Sequence, residues 1–171
     1  SALNGHIEVA GAKADVILAN PYGITCSGCG FINTDRATLT TGTPKFSADG
    51  NITGFNITQG NISIADNGLN ANSAGLLRLL SRNLSIDGQV NAQQLEAVTG
   101  ANAYDYTTGK ASAIAGTGAA AQYAIDSTLL GGLYANRISL ISTEQGVGVR
   151  MAGDAAASAA NFTLSAAGDI Q

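Results

Sequence analysis

Two cysteines and one histidine are the only thiol or imidazole side chains in this sequence, so any soft-ligand or nucleophilic chemistry must start from Cys26, Cys29 and His6. Cys26-Ser27-Gly28-Cys29 reads in three ways. As half of a zinc site it lacks a second ligand pair, with His6 the one other soft ligand. As a redox motif it lacks the strand-to-helix setting that depresses a thiol pKa. As a small disulfide loop, or a pair of structural thiols, it suits an exported protein, and this reading is favoured. Closing so short a loop removes little chain entropy, so its effect on global stability is expected to be small. No metal is expected.

His6 lies in Gly5-His6-Ile7-Glu8-Val9, out of phase with Ile7 and Val9, and faces solvent if they face a core. A lone histidine gives no triad. Asp15, Asp35, Asp49, Asp66 and Asp87 are dispersed, mostly beside Gly, Asn or Ala where turns are expected, and turn capping is their expected role. No carboxylate pair of the glycosidase kind stands out. A carboxylate cluster in a surface groove would reopen the case for a polysaccharide-active enzyme. The sequence therefore predicts a protein that is not an enzyme, with no catalytic residues, no cofactor and no small-molecule substrate. Asn20-Pro21-Tyr22-Gly23 is a turn signal: Pro presets φ at a central position and Gly accepts positive φ later in the turn.

The elements that would carry these residues are strands. Gly and Asn recur at short intervals with small alternating runs between them, as in Asn51-Ile52-Thr53-Gly54-Phe55-Asn56-Ile57-Thr58-Gln59-Gly60-Asn61-Ile62-Ser63-Ile64, which reads as consecutive strands of a few residues. Leu39, Leu140 and Leu164 sit in similar frames, each with apolar residues two apart and Ser or Thr between. Val90 to Gly100 is a looser copy. An all-strand repeat of roughly 20–25 residues points to a stacked solenoid. The fold class is all-β, a right-handed parallel β-helix, with Leu39, Leu140 and Leu164 buried. A β-sandwich is the alternative, and the scarcity of aromatics (no Trp, 5% Phe, Trp and Tyr together) weighs against its core. Ser73 to Arg82 has leucine spacings that also fit a helix, but its flanks favour a strand with Leu77 and Leu79 on one face. Gly100 to Ser127 breaks the pattern and is expected to leave the helix as a hairpin or loop lying against one face.

Charged residues make up 12% of the chain and the net charge is −4, so Asn, Ser, Thr, Gln and Gly must carry the surface. The few Lys and Arg are scattered, and nothing neutralises a phosphate backbone, so no nucleic acid is expected as partner. No stretch is long and apolar enough to span a bilayer as a helix.

Ala14 to Thr34 also carries a family resemblance. Asn20-Pro21-Tyr22-Gly23-Ile24 resembles the Asn-Pro-Asn-Gly-Ile motif of the two-partner secretion domain, with Tyr22 in the third position, and Cys26-x-x-Cys29 resembles its haemolysin and growth-inhibition branches. Leu130 to Ile138 and Thr143 to Arg150 resemble the segment that closes this domain, and Ala155 onward resembles the first haemagglutinin-type repeat of an adhesive shaft. The resemblance implies residues 1–154 as the C-terminal portion of the secretion domain and 155–171 as the start of the shaft repeats. The family's usual upstream cap and second Asn-Pro motif do not occur here, so an uncapped first coil with a tendency to edge association is expected.

The resemblance further implies a secretion module that reaches the periplasm unfolded. The periplasmic domains of a cognate outer-membrane β-barrel transporter would recognise it, and it would fold as a β-helix on the surface of a Gram-negative bacterium or once released. Asn20, Pro21, Tyr22, Gly23 and Ile24 would be the recognition motif, read before folding because a turn between stacked strands is partly shielded afterwards. Cys26 and Cys29 would form the disulfide. The alternative is an adhesin segment binding a host or bacterial surface ligand. Deleting Asn20 to Ile24 separates the two, by loss of export or by loss of attachment.

Overall fold

The structure, a computed structural model, describes residues 1–171. The strands are short, and Gly or Asn stands at many of the breaks between them, such as Asn33, Gly68, Gly88 and Asn136. Three strands make one coil. The first coil holds β1 (Ala2–Leu3), β2 (His6–Glu8) and β3 (Ala14–Ala19), and the second β4 (Ile24–Cys26), β5 (Cys29–Ile32) and β6 (Thr34–Thr40). The chain then leaves the stack as a hairpin, β7 (Thr43–Phe46) and β8 (Ile52–Ile57). The third coil is β9 (Asn61–Ile64), β10 (Leu69–Ala71) and β11 (Leu76–Ser81), and the fourth β12 (Asn83–Ile86), β13 (Gln89–Ala92) and β14 (Gln94–Thr99). A second departure follows, β15 (Asn102–Asp105) and β16 (Ala111–Ala113). The fifth coil is β17 (Tyr123–Ser127), β18 (Gly132–Ala135) and β19 (Arg137–Ser142), and the sixth β20 (Gly148–Met151), β21 (Asp154–Ala157) and β22 (Phe162–Ala166).

Corresponding strands of successive coils pair in parallel, giving three six-stranded sheets. Face one runs β1-β4-β9-β12-β17-β20, face two β2-β5-β10-β13-β18-β21, and face three β3-β6-β11-β14-β19-β22. This is a parallel β-helix. Its coil-to-coil returns are parallel crossovers, the connection that takes a right-handed turn as a rule.

A strand that alternates inward and outward side chains stacks like on like, and each coil supplies the apolar partner the previous one needs. On face three Leu18, Leu39, Leu79, Ala97, Leu140 and Leu164 fall in one register column. On face one the column is Ile24, Ile62, Leu84, Ile125 and Val149. Leu39 and Leu140 are fully buried. Leu164 is only half-buried, contrary to expectation, because β22 is the outermost strand of face three and has a neighbour on one side alone. Leu76 to Ser81 is a strand, as expected, with Leu77 and Leu79 inward. The corners between faces one and two admit only glycine in places: a Cβ on Gly88 would collide with the carbonyl of Ala65 in the coil beneath.

The excursion differs from expectation in two ways. Only its first part, through β16, leaves the helix, while Tyr123–Ser127 returns to face one as β17. Ile52–Ile57, which reads as one more strand of the stack, instead belongs to the first departure. The two departures join. Strand β8 pairs antiparallel with β15, Phe55 opposite Tyr104 and Ile57 opposite Asn102, in a four-stranded sheet ordered β16-β15-β8-β7. The physical reason is the outer surface of face three, where Leu80, Val98 and Ile141 stack in register where polar residues would be expected. Phe55, Ile57 and Tyr104 cover them in a second buried cluster.

Candidate functional site

The Asn20–Ile24 segment is the corner that carries the chain from β3 to β4. The amide of Asn20 donates to Thr40 O at 2.9 Å and ends the ladder of face three. Gly23 N–H then donates to Asn20 O at 3.0 Å, closing a four-residue turn. Tyr22 N–H donates to the Asn20 side-chain Oδ1 at 3.1 Å, and Asn20 Nδ2 donates to Ser1 Oγ at 2.9 Å. Asn at the first position, Pro at the second and Gly at the fourth are the residues that a type I turn selects, and Tyr22 keeps a negative φ.

Gly23 has φ +120°, and a Cβ there would lie 3.0 Å from Asn61 O of the next coil. On that same side Gly60 packs against the Pro21 carbonyl. Asn20, Pro21 and Gly23 are half-buried and Ile24 enters the core. Tyr22 is the exception to the expected shielding: its ring is 90% exposed. The motif thus forms a rigid corner with one projecting aromatic ring. It holds no acid, base or nucleophile beyond the Tyr22 phenol.

Two residues on, Cys26 and Cys29 are joined by a disulfide with Cα atoms 5.4 Å apart, bridging the corner between β4 and β5. Both sulfurs lie in the main core, 0% and 2% exposed. Cys26 Sγ lies 3.4 Å from Gly68 O, a packing contact since a disulfide sulfur has no proton to donate.

His6 is exposed, as its phase indicates, and lies across Gly30, with Asp66 and Asp87 in the same open groove on face two. Asp49, Asp66 and Asp87 are at turns but their side chains cap nothing, and Asp15 and Asp35 lie inside strands β3 and β6. Asp15 pairs with Arg36 at 2.5 Å. The carboxylate that does cap a turn is Asp105, which accepts from the amides of Thr107 and Thr108 and is held below the usual carboxylate range by those bonds. No group of three or more His, Cys, Asp or Glu gathers where it could hold a metal ion.

Sequence reasoning missed the least exposed ion pairs, which lie where the departing segments meet the helix. Arg78 on β11 and Glu96 on β14 occupy facing register positions and pair at 2.9 Å, and Tyr104 donates its O–H to Glu96 at 2.7 Å. Burial, together with Glu96, pushes the Tyr104 phenol well above its ordinary range. Further along, Arg82 donates to both oxygens of Glu144 and to the carbonyls of Thr117 and Gly118, clamping the returning segment down. Glu144 also accepts from Ala101 N at 3.0 Å, and its carboxyl is held low chiefly by the Arg82 bond. One signal was present in the sequence: a charge set between apolar residues at the same frame position one coil apart, Leu77-Arg78-Leu79-Leu80 and Leu95-Glu96-Ala97-Val98. Such a pattern marks an outer face that something covers.

The whole chain, residues 1–171, matches the family model described as the TPS secretion domain. It is 47% identical over 170 residues to a tRNA nuclease CdiA-2 of Burkholderia pseudomallei and 46% identical over 170 residues to a 16S rRNA endonuclease CdiA of Enterobacter cloacae, covering 99% of this chain in each case. It spans only about 5% of the length of those relatives. Among solved structures it resembles the filamentous hemagglutinin secretion domain, with a TM-score of 0.81 and 31% identity over 99% of this chain and 70% of that one. This chain therefore belongs to the TPS secretion domains of large CdiA- and filamentous haemagglutinin-type exoproteins.

Proposed function

We propose that this segment addresses its parent exoprotein to a cognate outer-membrane β-barrel transporter, whose periplasmic domains read it before it folds, and that its coils then nucleate β-helix folding at the surface of a Gram-negative cell. The observation that carries the reading is the state of Asn20–Ile24 in the fold. Its polar groups are used inside the corner and Ile24 is in the core, so the five residues offer a partner little beyond the Tyr22 ring. In the unfolded chain every one of those groups is free. Short alternating segments can add to an exposed sheet edge, a recognition mode that needs an unpaired backbone.

On this reading the segment catalyses nothing and takes no cofactor or small-molecule substrate. The nuclease activities named for the relatives belong to the rest of those much longer chains. The division after residue 154 into secretion domain and shaft repeat is part of the same proposal. Strand β21 crosses that point within the sixth coil, so the shaft would continue the stack and not begin a separate body.

Binding of a fluorescently labelled chain to the isolated periplasmic domains of the transporter tests the proposal. The chain is presented either diluted freshly from denaturant or fully refolded. Binding by the unfolded chain and not by the refolded one is expected. Equal binding, or preference for the folded form, would remove the claim that recognition precedes folding.

A further inference from the structure

We propose that Cys26 and Cys29 are oxidised on the unfolded chain, by a protein dithiol–disulfide exchanger, before the first three coils stack. The closed loop is then a precursor of the fold and not a product of it. This rests on the export reading only for the compartment in which the exchanger acts.

Access carries the argument. In the fold Cys26 is 0% and Cys29 2% exposed, within the main apolar core. Cys26 is flanked in register by Leu3 of the first coil and Ile64 of the third. Cys29 is flanked on the third-coil side by Leu69. Thiol–disulfide exchange needs the oxidant's sulfur to reach the attacking thiolate. Cys26 has no exposed surface, and Cys29 meets the floor of the face-two groove with only 2% of its surface, too little for a protein oxidant to bring its sulfur into line.

The reaction balances in two steps. The Cys26 or Cys29 thiolate attacks one sulfur of the exchanger's disulfide, forming a mixed disulfide and releasing the exchanger's other sulfur as thiolate. The second cysteine, as thiolate, attacks the protein-side sulfur of that mixed disulfide. It forms the Cys26–Cys29 bond and releases the exchanger's remaining thiolate. Two electrons pass to the exchanger, and the two thiol protons pass to solvent and the exchanger's thiolates.

Packing points the same way. Two unbonded sulfurs must stand further apart than two bonded ones. Both cysteines belong to the main core with Ile64 and Leu69, so sulfurs that move apart must displace neighbours there.

The test reduces the purified chain in urea and divides it. One half is treated with oxidised glutathione in urea. The other is refolded reduced by dialysis and then treated. Free thiols are counted by maleimide gel shift after quenching. Oxidation of the refolded chain should be slower by at least about 100-fold, because access then requires the coils to open. Failure of the reduced chain to refold, where the oxidised chain succeeds, would support the same order. Rates within a factor of about three for the two halves would overturn it.

A second arm reads the redox state of the chain retained in the periplasm of cells lacking the transporter. A closed disulfide there is expected. Free thiols there, with a disulfide in the exported protein, would overturn the proposal. Failure of the transporter reading would show differently, as export that persists without the transporter.

Discussion

Arg78 and Glu96 face one another on neighbouring strands of face three, 2.9 Å apart, beneath a sheet that is not part of the β-helix. Tyr104 of that sheet completes the group through Glu96, and the Arg78 guanidinium lies 5.2 Å from the centre of the Tyr106 ring. A charge pair is costly to desolvate, so its value here is in fixing where the covering sheet sits. Phe55 and Tyr106 meet edge to face at 5.7 Å in the same layer.

Removing one partner should therefore cost more than removing both. Glu96→Ala leaves Arg78 buried without its carboxylate and Tyr104 without its acceptor, and should lower stability by about 3 kcal/mol. The double variant Arg78→Met, Glu96→Leu should recover most of that loss. Urea denaturation of the two variants against the parent checks both.

The same layer sets an alkaline limit. The Tyr104 phenol is neutral in the fold and its pKa is raised, so its contribution is fully present below the ordinary tyrosine value of about 10. As pH rises above that value the unfolded chain ionises first and stability falls, until the folded phenol also titrates. Tyr104→Phe should flatten the decline above about pH 10. Glu144 gives the opposite limb. Its pKa is lowered by Arg82, so its contribution is present above the usual glutamate value of about 4.3 and is lost as pH falls through the lower, folded value. Glu144→Gln should flatten that acid decline. Melting temperature against pH for the parent and both variants is the measurement.

Within the Asn20–Ile24 corner, stability and exposure separate. Gly23→Ala places a Cβ at φ +120° and 3.0 Å from Asn61 O, and should cost on the order of 1–3 kcal/mol. Tyr22→Ala removes a ring that is 90% exposed and should stay within about 0.5 kcal/mol of the parent. Denaturant midpoints at constant slope distinguish the two.

The stack was legible because like residues recur in like frames: Leu39, Leu140 and Leu164 do share a column. The corner at Asn20 was legible because its residue types each answer one requirement of a turn. The covering sheet was less so. Ile52–Ile57 alternates like any coil strand, and period-two alternation states only that one face is buried, not against what. The pairing of β8 with β15 joins segments separated by two whole coils, and no local pattern announces such a contact. Leu164 shares a column with Leu39 yet stays half-exposed, because burial depends on having a coil on both sides, which a repeat frame cannot report.

Asn20–Ile24 is proposed to be an address as well as a corner. Asn20→Ala loses a bond from its side chain to the Tyr22 amide and should cost on the order of 1 kcal/mol. Ile57→Val, in the covering sheet, should cost a comparable 0.5–1.5 kcal/mol or so and leaves the corner untouched. The measurement is the amount of full-length exoprotein exported by cells carrying each variant, with equal stability loss established beforehand on this segment. Asn20→Ala should export far less than Ile57→Val. Equal export of the two would contradict it and leave Asn20–Ile24 a turn alone.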